Sequence, residues 1–326
     1  MKRRLWRALG CALGAALALG MTGTASRAEP LRVGKPQSDV FSFVPLDIGI
    51  EEGIFAKHGV EVQSFDLGGA AKLQQALAAQ AVDIGLGSGP ALSFIAKGAP
   101  QLGIAAMAGP PLVMTLIVAK DGPIKSVADL KGETVSISSP GGVPEWMVRQ
   151  LSQHEGWGPE GIKMIGLGAD SAQVAALRTN QVVGMPNDIG LAMKLEDQGV
   201  ARIMVHFGDI VPVFIMHVIF AGDDVIAKRP DELKKFLAGW FDTIVYMRAH
   251  KADVVRIGAA VTHVSPEIEG RVYDAVMPMF SETGRFDPKA VAILARSFVD
   301  LKLLPTEPDM SKLYTEKFLP SSVASK

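Results

Sequence analysis

The sequence predicts an α/β protein of two doubly wound lobes with mostly parallel sheets, and three observations carry that prediction. Short apolar strands alternate with amphipathic helices almost throughout, the pattern of βαβ units. The chain without its leader, roughly 300 residues, exceeds one comfortable core and calls for about two domains. Two segments also echo each other. QALAAQAVDIGLGS and AALRTNQVVGMPND set Ala76 against Ala176, Leu77 against Leu177 and Val82 against Val182, with Ser88 opposite Asp188.

The first element is a leader. Lys2, Arg3, Arg4 and Arg7 precede an apolar run over 8–21, which reaches the small-x-small pattern SRA at 26–28. This reads as a secretory signal peptide over 1–28, cut after Ala28, and places the mature protein in the periplasm. The run is shorter than the roughly 20 apolar residues of a membrane anchor, and the residues around Arg3 and Arg4 fit a twin-arginine signal poorly. Cys11, the only cysteine, lies inside the run, so the mature chain is expected to hold no disulfide, thiolate metal site or cysteine nucleophile. Removing the five leader cations (Lys2, Arg3, Arg4, Arg7 and Arg27) from 33 leaves 28 basic residues against 34 acidic ones, a formal net charge of −6. That sign disfavours nucleic acid as a partner.

The first lobe is expected to begin with strands LRVGK, VEVQSF, AVDIGLG and QLGIAAM, separated by helices over 47–55, over 70–79 and from Pro90. A second series follows with ETVSIS, a helix over 143–155, IKMIGL, a helix over 171–177, QVVGM and a helix over 189–198. From Pro230 onward the pattern is nearly all helical. Leu233, Phe236, Leu237, Trp240, Ile244 and Met247 recur at helical spacing, and Asp287 before Pro288 reads as an N-cap with proline at the first helical position.

In open α/β sheets ligands bind beyond the carboxyl ends of the strands, where helix N-termini leave backbone N–H groups unpaired. GSGP at 87–90 and SSPGGVPE at 138–145 are loops of that kind, one in each strand-rich half. A plain helix cap accounts for either loop alone; their comparable placement favours binding. Catalytic motifs fail on spacing. In GLGSGP, Pro90 occupies the third glycine position of a dinucleotide fingerprint, and Leu86 and Pro90 replace the glycines that flank a nucleophile elbow. The six histidines form no short metal-binding spacing, and the adjacent carboxylates Glu51 with Glu52 and Asp223 with Asp224 read as solvated. No catalytic residue, metal or cofactor is therefore assigned, and the protein is not expected to be an enzyme.

The run FSFVPLDIGIEEGIFAKHGVEVQSFDLGGAAKLQQALAAQAVDIGLGSGPALSFIAKGAPQLGIAAM resembles the nitrate, sulfonate and taurine branch of periplasmic solute-binding proteins, the NMT1/THI5-like family. PIKSVADLKGETVSIS and RPDELKKFLAGW are similar to further family segments. The resemblance implies a type II periplasmic binding protein fold, two lobes joined by a two-crossover hinge. It divides the chain into a first lobe over 29–115, a second over 116–213 and a return to the first over 214–326, with hinge crossings near 114–120 and 214–220. It implies capture of a small anionic solute of the sulfonate, taurine or nitrate type and delivery to the permease of an ABC importer in the inner membrane, by a monomer. Ligand positions implied by the resemblance are Phe43, Ser88, Gly89 and the segment holding Met107, with Ser139, Gly141 and Gly142 opposite. Trp146 joins them as an aromatic that could stack a planar ligand. The family often has an aspartate in the second lobe's G.VDA unit, where this chain has Val183 and Gly184 before MPND, so Asn187, with Asp188 beyond it, is carried as a contact across a departure from the pattern. A thiamine-pyrimidine or aromatic-acid ligand and a periplasmic sensor role remain alternatives. A pyrimidine synthase of the same family, which the resemblance ties to a cysteine-rich motif, is disfavoured by export and the lack of cysteine.

Overall fold

The computed structural model describes residues 29–320, so the leader over 1–28 and the tail over 321–326 lie outside the described residues. Two five-stranded sheets form. The first holds β1 (Leu31–Lys35), β2 (Val62–Asp66), β3 (Ile84–Ser88), β4 (Gln101–Ala108) and β10 (His217–Gly222), in the order β2-β1-β3-β10-β4. The second holds β5 (Met114–Ala119), β6 (Thr134–Ile137), β7 (Lys163–Gly166), β8 (Gly184–Asp188) and β9 (Ala201–His206), in the order β7-β6-β8-β5-β9. Both are α/β lobes.

The lobes repeat one plan. β3 and β8 are the central strands, and their bounds differ by 100 residues, as do the starts of the preceding helices Ala70–Ala78 and Asp170–Arg178. The echo in the sequence is thus an echo in space. Each sheet is parallel except for one strand, β10 in the first and β5 in the second, which runs against both neighbours. In both cases this is the first strand the chain forms after arriving from the other lobe. The chain therefore enters each sheet at the end where the parallel strands finish, and the crossings lie at that shared end.

Helix packing follows from the apolar pattern. Leu233, Phe236, Leu237, Trp240, Ile244 and Met247 of helix Pro230–Ala249 are all fully buried, each side chain contributing about 1.5–3 kcal/mol by leaving water. Phe55 stacks on Phe236 with ring centroids 5.2 Å apart. Helix Ala70–Ala78 lies close on the first sheet because Gly34 and Gly85 present no side chain beneath it. A Cβ at Gly34 would stand 2.8 Å from Leu73 Cδ1, and one at Gly85 2.7 Å from Leu77 Cδ1.

Several expected elements differ. The helix expected over 47–55 forms as Val44–Glu51 and Ile54–Lys57, broken at Gly53, whose φ of 65° no right-handed helix accepts. QVVGM at 181–185 is not the strand; β8 begins at Gly184 and runs through Pro186. A proline in a central strand is tolerated because the ladder to β6 engages Gly184 alone, so β8 beyond it serves only β5. Residues 114–119 and 217–220 belong to β5 and β10, and the crossings lie just upstream, over 109–113 and, after the short helix Phe207–Ile210 of the second lobe, over 211–216.

Candidate ligand-binding cleft

The crossing end of each sheet carries the loops from which a site can be built. In the first lobe Lys35 closes β1. Its ammonium, almost fully buried, sits 2.9 and 2.7 Å from the two carboxylate oxygens of Asp47 in the first turn of helix Val44–Glu51. Burial pushes Asp47 up in pKa despite the Lys35 partner, and the pair leaves Lys35 no free charge for a ligand. Burial also acts to raise Asp66 at the end of β2, but hydrogen bonds with Ser38 and the Gly68 N–H, with Lys35 nearby, hold it below its ordinary value. The loops after β1 and β2 are thus tied together. Gly68 and Gly69, with φ of 65° and 146°, then lead into helix Ala70–Ala78, whose N-cap makes no side-chain hydrogen bond. Lys72, in the first turn, is exposed and makes no ion pair with a described residue.

Ser88 ends β3 half-buried, and its hydroxyl caps no backbone N–H of the following turn. Directly opposite in register stands His217, the first residue of β10. Cross-strand partners share a face, with Cβ atoms about 5 Å apart, so the hydroxyl and the imidazole line one wall. Phe43 packs edge-on against the imidazole at 5.2 Å between ring centroids. His217 is 6% exposed, and neither ring nitrogen has a well-formed hydrogen bond, the Gly87 backbone offering one of them only a weak contact. Burial pushes its pKa down to about 4, against the Gly87 backbone, so the ring is neutral at ordinary pH. With no hydrogen bond to His217 and no carboxylate orienting the ring, Ser88 has none of the activation a nucleophile needs.

The second lobe answers Ser88 with Asp188, which ends β8 and caps helix Ile189–Asp197 through Gly190 N–H at 2.7 Å. The other carboxylate oxygen, Oδ2, is buried without a partner. Burial, opposed by the Gly190 N–H and reinforced by the charges of Glu269, Asp39 and Asp170, pushes Asp188 up to about 7. Asn187 is engaged within its own lobe: its amide donates to Asp170 Oδ1 at 3.0 Å, and its carbonyl oxygen accepts from Asp188 N–H at 2.7 Å. It positions Asp170.

The structure sorts the sequence-derived residues. Ser88, exposed Ser139 and half-buried Gly142 stand at the crossing end with free surface. Phe43 is buried but shapes the wall through His217. The Gly141 N–H donates to Glu145 Oε2 at 2.7 Å, so a carboxylate of the chain already occupies the start of helix Val143–His154. The Gly89 N–H donates to the Met216 carbonyl, and a Cβ at Gly89 would collide with the carbonyl oxygen of Ile215. That glycine exists for the passage of the return crossing. Met107 is fully buried in β4. Trp146 is 2% exposed, with one face covered by Phe214 at 4.6 Å and its Nε1 donating to Asp300 Oδ2 at 3.1 Å. It joins the second lobe to the return crossing and to the end of helix Pro288–Asp300.

His217 escaped the sequence analysis, and the available signal was its place at the start of the returning strand. Lys72 was legible as a cation in the first turn after GG. Cavities of about 260 Å³, beside Asp121 and Arg178, and about 450 Å³, beside Lys235 and Lys317, lie away from the crossing end. Among the described residues no helix is long and apolar enough to cross a membrane, and no group of three or more His, Cys, Asp or Glu is arranged to hold a metal.

Known structures share this architecture. The alkanesulfonate-binding protein SsuA from Xanthomonas axonopodis pv. citri, bound to MOPS, superposes with a TM-score of 0.74 at 18% identity, covering 89% of this chain and 99% of that one. The periplasmic aliphatic sulphonate binding protein SsuA from Escherichia coli gives 0.74 at 18% identity, covering 88% and 92%. A mutant of DszB in complex with biphenyl-2-sulfinic acid gives 0.68 at 16% identity over 91% and 99%, and the desulfurization enzyme DszB itself gives 0.66 at 16% identity over 90% and 99%, so the fold also hosts an enzyme. No curated protein matches the sequence. The model of the family described as NMT1/THI5 like matches residues 40–254, and the chain, with the two-lobed periplasmic binding protein fold, belongs to that family.

Proposed function

We propose that the protein is a periplasmic solute receptor that captures a small organic anion between its lobes and delivers it to the permease of an ABC importer. The observation that carries this reading is the pair of equivalent strand ends, Ser88 of β3 and Asp188 of β8, at the end where both crossings join the sheets. A ligand held there touches both lobes, so binding favours their approach. The crossings over 109–113 and 211–216 serve as the hinge.

The anionic class is supported by the start of helix Ala70–Ala78. Its first N–H groups follow two glycines, lack a side-chain cap and stand beside the unpaired Lys72. Backbone donors and the positive end of the helix dipole suit a sulfonate or carboxylate. The start of helix Val143–His154 is less suited, because Glu145 fills it. Taurine, as an organosulfonate, falls in this class, and nitrate shares its oxyanion chemistry. Binding rather than catalysis agrees with the unactivated Ser88.

Titration calorimetry of the chain over 29–326 against ethanesulfonate, taurine, nitrate and benzoate tests the proposal. Saturable binding of at least one anion, weakened about tenfold or more in Lys72→Glu, is expected. Binding of none, or affinity untouched by the charge reversal, would refute the anionic reading.

A further inference from the structure

The wall formed by His217 and Ser88 carries an inference about what else the solute must present. A buried imidazole without a well-formed hydrogen bond is costly, because its nitrogens lost water and gained at most a weak contact with the Gly87 backbone. Such groups are uncommon unless something outside the chain completes them. Here the ring is fixed rather than loose. Phe43 packs against it, β10 places it directly across from Ser88, and the neighbouring strand sets Ala108 on its other side. The Ser88 hydroxyl is half-buried and caps nothing, and the Ser42 hydroxyl, next to Phe43 in sequence, is also buried without a partner. The imidazole and the Ser88 hydroxyl thus stand side by side at the crossing end of the sheet.

We infer that His217 is a specificity-determining residue that hydrogen-bonds an uncharged donor–acceptor group of the bound solute, a hydroxyl or carboxamide, with Ser88 beside it. This rests on the reading that the cleft holds a small organic anion. The chemistry follows from the neutral ring, which burial keeps unprotonated. One nitrogen donates and the other accepts, on different edges of the ring, so a hydroxyl or amide, which can do either, matches whichever nitrogen faces it, whereas a second anionic group would meet a neutral wall without charge compensation. The solute class is therefore an organic anion bearing a hydroxyl or amide substituent, with the anion and the neutral group read by different elements: helix Ala70–Ala78 and β10. A site built around a hydrogen bond discriminates against an analogue that lacks it, because its own buried groups are then left unpaired.

Matched probe pairs separate the two readings. Calorimetry of the chain over 29–326 would compare ethanesulfonate with 2-hydroxyethanesulfonate, benzenesulfonate with 4-hydroxybenzenesulfonate, and benzoate with 4-hydroxybenzoate. In at least one pair the hydroxylated member should bind at least about tenfold more tightly to the wild type. His217→Leu should shrink that gap to about threefold or less and leave the parent anion's affinity within the same factor, and His217→Gln, which keeps a donor and an acceptor, should retain part of the gap. Equal affinity within every pair that binds, or an undiminished gap in His217→Leu, would overturn the inference about His217 while leaving anion capture standing. Binding of none of the six anions would overturn both. Should His217→Leu fail to fold, the ring nitrogens of His217 in the ¹⁵N-histidine-labelled wild type decide. They should shift on adding the hydroxylated probe and not its parent, and an indifferent resonance overturns the inference.

Discussion

Glu269→Gln tests the energetics of the fold with a sign that is easy to get wrong. Glu269 lies on helix Pro266–Val276 and is 1% exposed. Its Oε2 accepts from the Thr262 hydroxyl at 2.9 Å, while Oε1 is without a partner and lies against Gly258. The same hydroxyl is also 2.9 Å from the Gly258 carbonyl, and it has one proton for two acceptors. When Glu269 is protonated the conflict disappears: the carboxyl donates to Thr262, and Thr262 donates to Gly258. Burial, against the Thr262 hydrogen bond, pushes Glu269 up from 4.5 to about 7. The folded state thus holds the proton more tightly than the unfolded chain. The contribution of this group to stability, on the order of 3 kcal/mol, is full below pH 4.5 and is lost as pH rises through about 7. An amide in its place mimics the protonated form at every pH. The variant should match the wild type near pH 4.5 and exceed it by up to about 3 kcal/mol at pH 8. Urea unfolding followed by tryptophan fluorescence at both pH values measures this. A variant less stable than the wild type at pH 8, or a difference independent of pH, would refute the reasoning. Asp188, pushed up to about 7 as well, adds to the slope in the same direction, so the variant should keep part of it.

Other substitutions read the cleft and the crossings. Ser139→Ala should weaken binding of the best anion by roughly 10- to 100-fold where a charge-assisted hydrogen bond is lost, and Ser88→Ala by roughly 2- to 10-fold where a neutral one is lost, both with little change in melting temperature; calorimetry beside thermal unfolding separates the two effects. Gly89→Val should cost about 1–3 kcal/mol or more in stability, because a Cβ there collides with the Ile215 carbonyl, and a melting temperature equal to the wild type's would contradict that. Trp146→Phe keeps a ring against Phe214 but removes the donor to Asp300. A loss of about 2 kcal/mol is expected in denaturant unfolding, and no loss would mean that the interaction contributes nothing to joining the lobes.

Much of the lobe plan was legible because it rests on local rules. The alternation of strands and helices, the apolar face of helix Pro230–Ala249 and the Asp287 cap, whose side chain accepts from Lys289 and Ala290 N–H, all follow from periodicity and capping. The 100-residue echo was legible for the same reason, since Ser88 and Asp188 end equivalent strands. The antiparallel strands β5 and β10 were harder to see. Nothing local distinguishes a strand that arrives from another lobe from a linker, and their partners are distant in sequence. The site divides along the same line. Ser88 and Ser139 announced themselves as hydroxyls in glycine loops, but loop chemistry alone did not say whose needs the glycines serve. Gly89 and Gly141 answer to the Met216 carbonyl and the Glu145 carboxylate. His217 became visible only once β10 was laid beside β3, because its burial and its lack of a well-formed hydrogen bond are products of tertiary packing.

The central claim, that two lobes close on a solute held between Ser88 and Asp188, is tested most directly by small-angle X-ray scattering of the chain over 29–326 with and without a saturating concentration of its tightest-binding anion. The account predicts a smaller radius of gyration with ligand, and a weakened response in Ser88→Ala at the same anion concentration. An unchanged scattering profile at demonstrated saturation would contradict it.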